Sequence, residues 1–546
     1  MVLILGIAAC KTKEDPKEPE APTTFFSVNS IKINGIEANT TLRGLPLKPS
    51  ITIDFSNAIN RASIGNIILQ NAAGQPIPVI ISYRNNDSLV DLAIPNDLLK
   101  YTRYILRVTK EVSNTKDGLL TADINKDFIT ELDSSDKFPR ISENELLDKV
   151  QSQTLKYFYD FGHPVSGLAR ERNSSGDLVT SGGSGFGIMA MIAGANRNFI
   201  TRQQSLDRMI KIVDFLTTKA DRFHGVFPHW LNGVTGKTIP FSTNDNGADL
   251  VETAYLIQGL LAARQYYDGA SNTETKLRAD INLIVDAVEW SWFRKENQQN
   301  KLFWHWSPDK GFIMNMEVRG WNEALIVYVL AASSKNYSIP KIVYDNGWAV
   351  NGSIKNNNSY FGYNLPLGPS NGGPLFFSHY SFLGINPFGL SDQYANYEEQ
   401  VINHTKINFE YCKANPKNYF GYSKDCWGLT ASDIMNGYTA SEPNNDVSVI
   451  APTAALSSYP FTPALSRDAM EFFYYKLGDK LWSDKGFYDA FSLHQVWFAN
   501  STLAIDQGPI VVMIENHRSG LLWNLFTSCP EVKKGMKDLG FVAPYL

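Results

Sequence analysis

The hydrophobic and polar positions follow two different periods along the chain. Up to about Leu132, short apolar runs alternate with polar residues, as in 50–55 and 104–108, and turn residues separate the runs. Alternation with a period of two predicts strands that bury one face. Residues 25–135 are therefore predicted to form a small all-β sandwich, which is the size of a spacer module and carries no cluster of reactive side chains.

After Lys137 the period changes to that of helices. Apolar residues recur three and four positions apart, which predicts helices that bury one stripe. The segments with this spacing are 146–158, 209–216, 256–261, 281–292, 323–330, 398–412, 467–477 and 510–517. Long loops rich in Gly, Pro, Asn and aromatic residues separate them, and we expect these loops to build a pocket. Paired helices over 136–546 predict a toroid of inner and outer helices, an (α/α)6 barrel.

The start of the chain has the pattern of an export signal. Residues 1–10 form an apolar run that ends in small residues and Cys10, as in a bacterial lipoprotein signal, although the usual basic start is missing and the signal could be truncated. We expect a lipid on Cys10, with a short buried apolar segment as the alternative. Residues 11–24 are charged and contain proline, which predicts a flexible tether.

These features predict a lipid-anchored protein in the cell envelope of a Gram-negative bacterium, on its periplasmic or outer surface. The lipid would be the protein's contact with the membrane, because no later apolar stretch approaches the length of a span. In such an oxidising compartment Cys412 and Cys426 could form a bridge, whereas Cys529 has no obvious partner.

Composition narrows the class of ligand. The net charge of -5 argues against nucleic acid, whose phosphates favour a basic face. An aromatic content of 12% suits neutral sugars, although a large core uses the same residues. The eight histidines lack metal-site spacing, and the Gly-rich stretch 182–187 does not follow a clear strand. We therefore predict no nucleic acid partner, no metal and no cofactor.

A first group of acidic residues follows an aromatic loop. Asp245, Asp249 and Glu252 are spaced by four and three positions, so they would line one face of a helix if that helix already runs at Asp245. The preceding loop contains His229 and Trp230, which favours a sugar cleft. The alternative is a capped, solvated helix start, because acidic residues are common in a first turn.

Two further acidic residues could carry the chemistry of glycosidic cleavage, which needs a proton donor and a second carboxylate. Glu323 follows Trp321 and precedes an apolar run; a carboxyl desolvated by an aromatic ring has a raised pKa, as a general acid requires. Asp506 precedes a Gly-Pro pair and an apolar helix that also contains Glu515. Without further context, Glu323 and Asp506 could equally serve the starts of their helices.

Several long motifs in one order resemble a known family. From about residue 142 to 546 the chain resembles the bacterial glucoamylase-like family, which includes the endo-β-1,2-glucanases and sophorose-releasing enzymes of glycoside hydrolase family 144. The motifs that carry the resemblance are 180–187, 373–381, 427–433, 450–455 and 504–510. Residues 25–135 resemble bacterial Ig-like domains, particularly in 54–56 and 101–109.

The resemblance implies a mainly α fold, an (α/α)6 barrel preceded by the Ig-like sandwich, and cofactor-free hydrolysis of β-1,2-glucan to short products such as sophorose, with inversion. It implies Glu323 as general acid and Asp506 as general base. We expect the protein to be a monomer. The predicted substrate-binding residues are Asp245, Asp249, Glu252, His229, Trp230, Trp321, His379, Tyr380 and Glu515. The alternatives are a hydrolase of another glucan, such as an α-glucan, and a surface glycan-binding lipoprotein without turnover.

Overall fold

The structure is a computed structural model that describes residues 25–546. The chain divides into two compact units, with the division after Asp133. The predicted signal, the lipid on Cys10 and the tether at 11–24 lie outside the described residues. Within the described range, no helix is both long enough and apolar enough to cross a membrane.

The first unit consists of two β-sheets. Its strands are β1 (Val28–Ile33), β2 (Ile36–Glu37), β3 (Leu42–Leu45), β4 (Ile51–Phe55), β5 (Ile67–Asn71), β6 (Ile80–Arg84), β7 (Leu89–Ala93), β8 (Arg103–Val108) and β9 (Ile124–Thr130). One sheet has the order β2-β1-β4-β7-β6 and the other the order β3-β9-β8-β5. The pairs are antiparallel except β3 with β9.

The predicted strand at 50–55 is confirmed as β4, and its burial follows the sequence pattern. Ile51, Ile53 and Phe55 are buried, whereas Thr52 and Asp54 are half-buried. Successive side chains of a strand point to opposite faces, so this alternation buries one face of the sheet. The same pattern in β8 places alternate side chains in the apolar core of the unit.

The second unit is mainly helical. Its helices are α1 (Glu143–Tyr159), α2 (Ser181–Asn196), α3 (Arg202–Thr218), α4 (Leu250–Tyr266), α5 (Asn272–Asp286), α6 (Leu325–Ser333), α7 (Lys341–Asn346), α8 (Tyr397–Ala414), α9 (Pro452–Leu456), α10 (Pro463–Glu471), α11 (Gly478–Leu481), α12 (Ala504–Ser519), α13 (Leu521–Thr527) and α14 (Pro530–Leu539).

Short strands connect these helices and form small antiparallel sheets. They are β10 (Leu178–Thr180), β11 (Trp230–Asn232), β12 (Thr238–Ile239), β13 (Ala248–Asp249), β14 (His305–Trp306), β15 (Lys355–Tyr360), β16 (Tyr363–Leu367), β17 (Ala431–Ile434), β18 (Gly437–Ala440), β19 (Trp482–Ser483), β20 (Gly486–Phe487), β21 (Phe491–Ser492) and β22 (Trp497–Phe498). They stiffen the long loops that the sequence predicted between the helices.

The helices are of two kinds. Nearly every residue of α2, α4, α6 and α12 is buried. In contrast, α1, α3, α5 and α14 bury one apolar stripe and expose the opposite face. A helix that is apolar on all sides is surrounded by protein, and an amphipathic one covers a core from outside. The unit therefore has a central set of helices and a peripheral set.

Glycine allows the central helices α2 and α4 to approach closely. A Cβ atom at Gly259 would lie 2.3 Å from the carbonyl oxygen of Gly185, and one at Gly185 would lie 2.1 Å from the carbonyl oxygen of Tyr255. The Gly-rich stretch 182–187 thus lies inside a helix and serves helix packing. The strand β10, which precedes α2, was not predicted from the sequence.

Three predicted helix boundaries are wrong. The run at 281–292 contains the end of α5 and a separate 3-10 turn, Trp290–Phe293. The run at 467–477 changes from α10 to a π-helical turn at Phe472–Lys476. Helix α12 begins at Ala504, before the Gly-Pro pair, because burial on nearly all sides keeps it continuous through Pro509 despite the lost backbone donor.

The three described cysteines, Cys412, Cys426 and Cys529, are buried free thiols. Burial raises the pKa of Cys412 and of Cys426. Buried thiols of this kind behave as small apolar groups. The suggested bridge between Cys412 and Cys426 is therefore absent from the structure.

Candidate active site

The N-terminal ends of the central helices meet at one place. The backbone N–H of Gly182, in the first turn of α2, donates a 2.9 Å hydrogen bond to Oε2 of Glu252 in α4. The hydroxyl of Tyr255, one turn further along α4, donates a 3.4 Å hydrogen bond to the carbonyl oxygen of Glu323. Glu323 directly precedes Ala324, the N-cap residue of α6. Helices α2, α4 and α6 therefore begin side by side.

Helix α12 begins at the same place and brings Asp506 with it. A Cβ atom at Gly183 of α2 would lie 2.6 Å from the Cβ of Ala504, the first residue of α12. Asp506 is in the first turn of α12. Burial, followed by the negative charges of Asp506 and Glu323 among others, raises the pKa of Tyr380. Tyr380 is thus within electrostatic reach of both predicted catalytic carboxyls.

Asp245, Asp249 and Glu252 meet, but not along one helix face, so that expectation is wrong. Helix α4 begins at Leu250, with Asp249 as its N-cap and Asp245 in the preceding loop. Two histidines gather the acids instead. Nδ1 of His229 lies 3.2 Å from Oδ2 of Asp249, and Nε2 lies 3.9 Å from Oε1 of Glu252. Nε2 of His305 lies 3.5 Å from Oδ2 of Asp245.

The charges within this group shift the pKa values of its members. Burial lowers the pKa of His229, but Glu252, Asp249 and Asp245 together raise it to about 9. Burial and the neighbouring Asp249 raise the pKa of Asp245 to about 6. Burial also raises the pKa of Glu252. At neutral pH a protonated His229 therefore holds the group together, because buried like charges require a counter-charge or a proton.

Glu323 has the properties that a proton donor needs. Burial, together with the negative charges of Glu252 and Asp249, raises its pKa to about 7. Its carbonyl oxygen accepts hydrogen bonds from the hydroxyls of Tyr255 and Ser381, which fixes the backbone. The residue as a whole keeps part of its surface exposed, so a ligand can reach it. A carboxyl that keeps its proton near neutral pH can protonate a leaving oxygen.

Asp506 lies in a second group of carboxyls. Asp506 and Asp489 are each 2% exposed and lie within hydrogen-bonding range of each other. Oδ2 of Asp489 accepts a 2.6 Å hydrogen bond from the backbone N–H of Asp433. The carboxylate of Asp433 accepts hydrogen bonds from the hydroxyl of Ser501 at 2.5 Å and from Nη1 of Arg172 at 3.3 Å. Among residues 25–546, neither carboxyl oxygen of Asp506 has a donor.

Aromatic rings border the first group of acids. The ring of Phe241 stacks on His229 with centroids 4.4 Å apart and contacts Trp230 at 4.7 Å. Phe241 is 50% exposed, and Trp230 is half-buried. Flat apolar rings beside buried carboxylates can bind the face of a sugar ring while the carboxylates accept hydrogen bonds from its hydroxyls.

Two predicted substrate-binding residues, His379 and Trp321, are buried in the core. His379 is 2% exposed and its Nε2 lies 2.9 Å from Oγ of Ser458; burial lowers its pKa to about 3. Trp321 is 5% exposed and packs against Trp348 and Phe382. The contacts of both residues are those of structural side chains.

Glu515 lies near the other end of α12 from Asp506, inside a closed network. It is fully buried and accepts a 2.7 Å hydrogen bond from Nε of Arg197. Further donors to its carboxylate are Gln151, Asn196 and Ser519. These contacts join α12 to α1 and α2, so the structure gives Glu515 a role in helix packing.

Replacing Arg197 with methionine is expected to destabilise the second unit by about 3 kcal/mol, because removing one partner of a buried ion pair leaves the other charge uncompensated. Activity per folded molecule should remain near that of the wild type. Chemical denaturation measures the first effect and an active-fraction assay the second. A loss of activity without a loss of stability would place the Glu515 network in the site after all.

One group of described residues could hold a cation. Ligand atoms of His229, Asp245 and Asp249 all lie within 4.8 Å of one another. Imidazole and carboxylate ligands suit a divalent transition metal. The same atoms already form a hydrogen-bonded group around a protonated histidine, so the expectation of a metal-free protein stays a prediction.

Sequence reasoning missed His305, Asp433 and Asp489. Two of them had a local signal: His305 lies between Trp304 and Trp306, and Asp489 interrupts the apolar run 487–491. A single acidic residue or histidine inside an aromatic run is expected to be buried, and buried polar groups need partners. That signal identifies a candidate but not its partners, which come from distant segments.

The fold and the site together define a class of enzyme. A helical unit gathers two groups of buried carboxyls at the starts of its central helices, with Tyr380 near both. One group contains Glu323 with its raised pKa, and aromatic rings border the acids. Paired carboxyls, one protonated and one able to accept a proton, are the machinery of a glycoside hydrolase.

Comparison with known proteins agrees with this class. The family described as "Putative glucoamylase" matches residues 315–530, and the bacterial Ig-like domain family matches residues 28–130. An endo-β-1,2-glucanase from Chitinophaga pinensis, solved with sophorotriose and glucose, is 52% identical, with a TM-score of 0.73 over 74% of this chain and 100% of that chain. A β-1,2-glucanase structure from Parabacteroides distasonis is 36% identical, with a TM-score of 0.72 over 94% of this chain and 73% of that chain.

The chain belongs to the bacterial glucoamylase-like family of glycoside hydrolases, as its motifs predicted. A curated relative, the exo-β-1,2-glucooligosaccharide sophorohydrolase of Parabacteroides distasonis, is 44% identical over 420 residues, which are 73% of this chain. The matched region spans 58% of the length of that relative. The first unit is an Ig-like domain and the second the helical catalytic domain.

Proposed function

We propose that the protein hydrolyses β-1,2-linked glucan and releases short oligosaccharides such as sophorose. The observation that carries the proposal is the meeting of Glu323 and Asp506 around Tyr380 at the starts of the central helices. The substrate follows from relatives that are named as β-1,2-glucanases and a sophorohydrolase.

In the proposed reaction Glu323 is the general acid. Its proton passes to the glycosidic oxygen as the bond from that oxygen to the anomeric carbon breaks. Asp506 accepts a proton from the water that attacks the anomeric carbon from the opposite face, which inverts its configuration. A raised pKa at Glu323 supports this assignment, because the group must hold its proton at the working pH.

The first group of acids would bind the sugar beside the cleaved bond. Asp245 and Glu252 offer carboxyl oxygens to sugar hydroxyls, and Trp230 with Phe241 offers ring faces. Hydrogen bonds from hydroxyls to buried carboxylates strengthen in a site that excludes water. Binding of this kind would hold the glucosyl unit in place for Glu323 to protonate its leaving oxygen.

The finer architecture is also a proposal. The central and peripheral helices support an (α/α)6 barrel, with the central helices as the inner ring and their N-terminal ends at the cleft. We further propose a monomer that is anchored to the cell envelope by a lipid on Cys10. Globomycin-sensitive processing and labelling with a fatty acid, compared with a Cys10→Ser variant, test the anchor.

Incubation with linear β-1,2-glucan is expected to yield sophorose or a short series of β-1,2-linked oligosaccharides. Chromatography over time separates the two modes of attack, because an exo enzyme accumulates one product from the start and an endo enzyme first produces a mixture. A panel with starch and β-1,3-, β-1,4- and β-1,6-glucans is the control. Turnover of starch with none of β-1,2-glucan would contradict the proposal, as would binding of glucan without new reducing ends.

A further inference from the structure

The carboxyl oxygens of Asp489 and Asp506 outnumber the hydrogen-bond donors around them. Both are 2% exposed, and among the described residues three of their four carboxyl oxygens have no donor: both oxygens of Asp506 and Oδ1 of Asp489. The fourth, Oδ2 of Asp489, is already bound to the backbone N–H of Asp433. Two buried carboxylates in hydrogen-bonding range of each other repel, whereas one shared proton turns the contact into a hydrogen bond.

Arg172 faces the pair, but its hydrogen bonds are made to other carboxylates. The guanidinium of Arg172 is bound to the carboxylates of Asp433 and Glu171, and its hydrogen bonds go to them. Burial and Asp433 raise the pKa of Asp489 to about 7, and burial and Asp489 raise the pKa of Asp506 well above its usual range. The titratable and charged groups that face the pair are Asp433, Glu171, Arg172, Tyr157, Tyr380 and Tyr438.

We propose that Asp489 and Asp506 share one proton and act together as the general base, so that Asp489 is a positioning residue for the reaction. The proton lies between Oδ1 of Asp489 and one oxygen of Asp506. The other oxygen of Asp506 is then a free acceptor. This inference rests on the proposed hydrolysis and adds a residue to it.

The bonds and protons of the hydrolysis balance when this pair is the general base. As the oxygen of the attacking water bonds to the anomeric carbon, one of its O–H bonds breaks and the proton moves to the free oxygen of Asp506. The glycosidic bond breaks and its oxygen takes the proton of Glu323. The pair ends with two protons and Glu323 with none, and exchange of one proton with solvent restores both. Pairs of carboxyls that share a proton activate water in this way.

The raised pKa of this pair gives its contribution to stability a dependence on pH opposite to that of an aspartate whose carboxylate accepts hydrogen bonds or pairs with a cation. The pKa of Asp489 is raised in the folded state from its ordinary 3.8 to about 7. Its contribution to stability is therefore fully present below the unfolded pKa and is lost as pH rises through the folded pKa. An amide in place of Asp489 donates to Asp506 without a titrating proton, so it escapes this loss.

Thermal unfolding of the full chain at pH 4.5 and pH 8 tests the pair without any substrate. The melting temperature of Asp489→Asn, taken relative to that of the wild type, is expected to be higher at pH 8 than at pH 4.5 by about 2 °C or more. The matched control is Asp446→Asn, because Asp446 is buried but accepts hydrogen bonds from Tyr411, Tyr422 and the N–H of Ser448. The control should melt below the wild type at pH 8. If Asp489→Asn behaves as this control does, the pair does not share a proton.

The pH profile of kcat tests the role in the reaction. Asp489→Ala, which removes the neutral donor to Asp506, is expected to move the acid limb by about one pH unit or more toward higher pH with little change in KM, whereas Asp489→Asn, which keeps a neutral donor, should leave it near that of the wild type. An acid limb that Asp489→Ala leaves unmoved would overturn the role of Asp489, and one that Asp489→Asn moves toward lower pH would show a charged Asp489 and overturn the shared proton. If the wild type does not cleave β-1,2-glucan, the proposed function fails, and the thermal experiment still decides whether the proton is shared.

Discussion

Replacing Glu323 with glutamine is expected to lower kcat on β-1,2-glucan by about 100- to 10,000-fold, the usual contribution of a general acid. Glutamine keeps the size and the backbone contacts of the side chain but has no proton to transfer to the leaving oxygen. The hydrogen bonds from Tyr255 and Ser381 go to the Glu323 carbonyl and remain. Reducing-end release measures the rate, and thermal melting checks the fold.

An activated substrate separates the role of acid from that of binding. A nitrophenyl β-glycoside of sophorose has a leaving group that needs no proton, so Glu323→Gln should lose far less activity on it. The matched control is Glu317→Gln, because Glu317 pairs with Lys301 and Arg319. This control should keep activity on both substrates. Equal losses on both substrates by Glu323→Gln would show that Glu323 binds the glucan and does not protonate it.

Replacing Asp506 with asparagine is also expected to lower kcat by about 100- to 10,000-fold, through loss of the proton acceptor for the attacking water. An amide has no carboxyl oxygen that can take up a proton at neutral pH. The fold should persist, because the new amide can donate to Asp489 in place of the shared proton, and the oxygens of Asp506 have no other donor in the described part of the chain. The glucan assay and a melting curve measure both effects.

Added azide distinguishes this variant from the acid variant. Azide attacks without a base, so it should restore turnover to Asp506→Asn and give a glycosyl azide, but it should not restore Glu323→Gln on glucan. Glu515→Gln, which changes the same helix near its other end, should remain active per folded molecule. Azide rescue of the Glu323 variant in place of the Asp506 variant would reverse the two assignments.

Local periodicity predicts most of the secondary structure. The strand β4 follows from the alternation of 50–55, because each residue's face depends only on its neighbours. Helix α8 follows in the same way from the run 398–412, which differs from the observed bounds by one and two residues. The exceptions are segments such as α2, whose glycines disfavour a helix in isolation and are accepted because α4 packs against them.

The acidic site is only partly predictable. Local patterns and the family resemblance identify Asp245, Asp249, Glu252, Glu323 and Asp506, but their partners depend on tertiary contacts. His305 reaches Asp249 through the pairing of β13 with β14, and the sequence contains no periodic signal for such two-residue strands. The same reasoning also suggested His379 and Glu515, which lie in the core. A sequence pattern marks residues on which the protein depends, but it does not show whether a residue serves helix packing or catalysis.

Because helices α2, α4, α6 and α12 begin at one place, the catalytic groups come together only when folding is complete. Its parts come from Gly182, Glu252, Glu323 and Asp506, which lie up to several hundred positions apart in the chain. Contacts between such distant segments form late, because the entropy of closing long loops must be overcome first. Partly folded intermediates of the helical unit would contain helices but no assembled carboxyl pair. Recovery of turnover during refolding should therefore lag behind recovery of circular dichroism, which makes enzyme activity a reporter of the last stage of assembly.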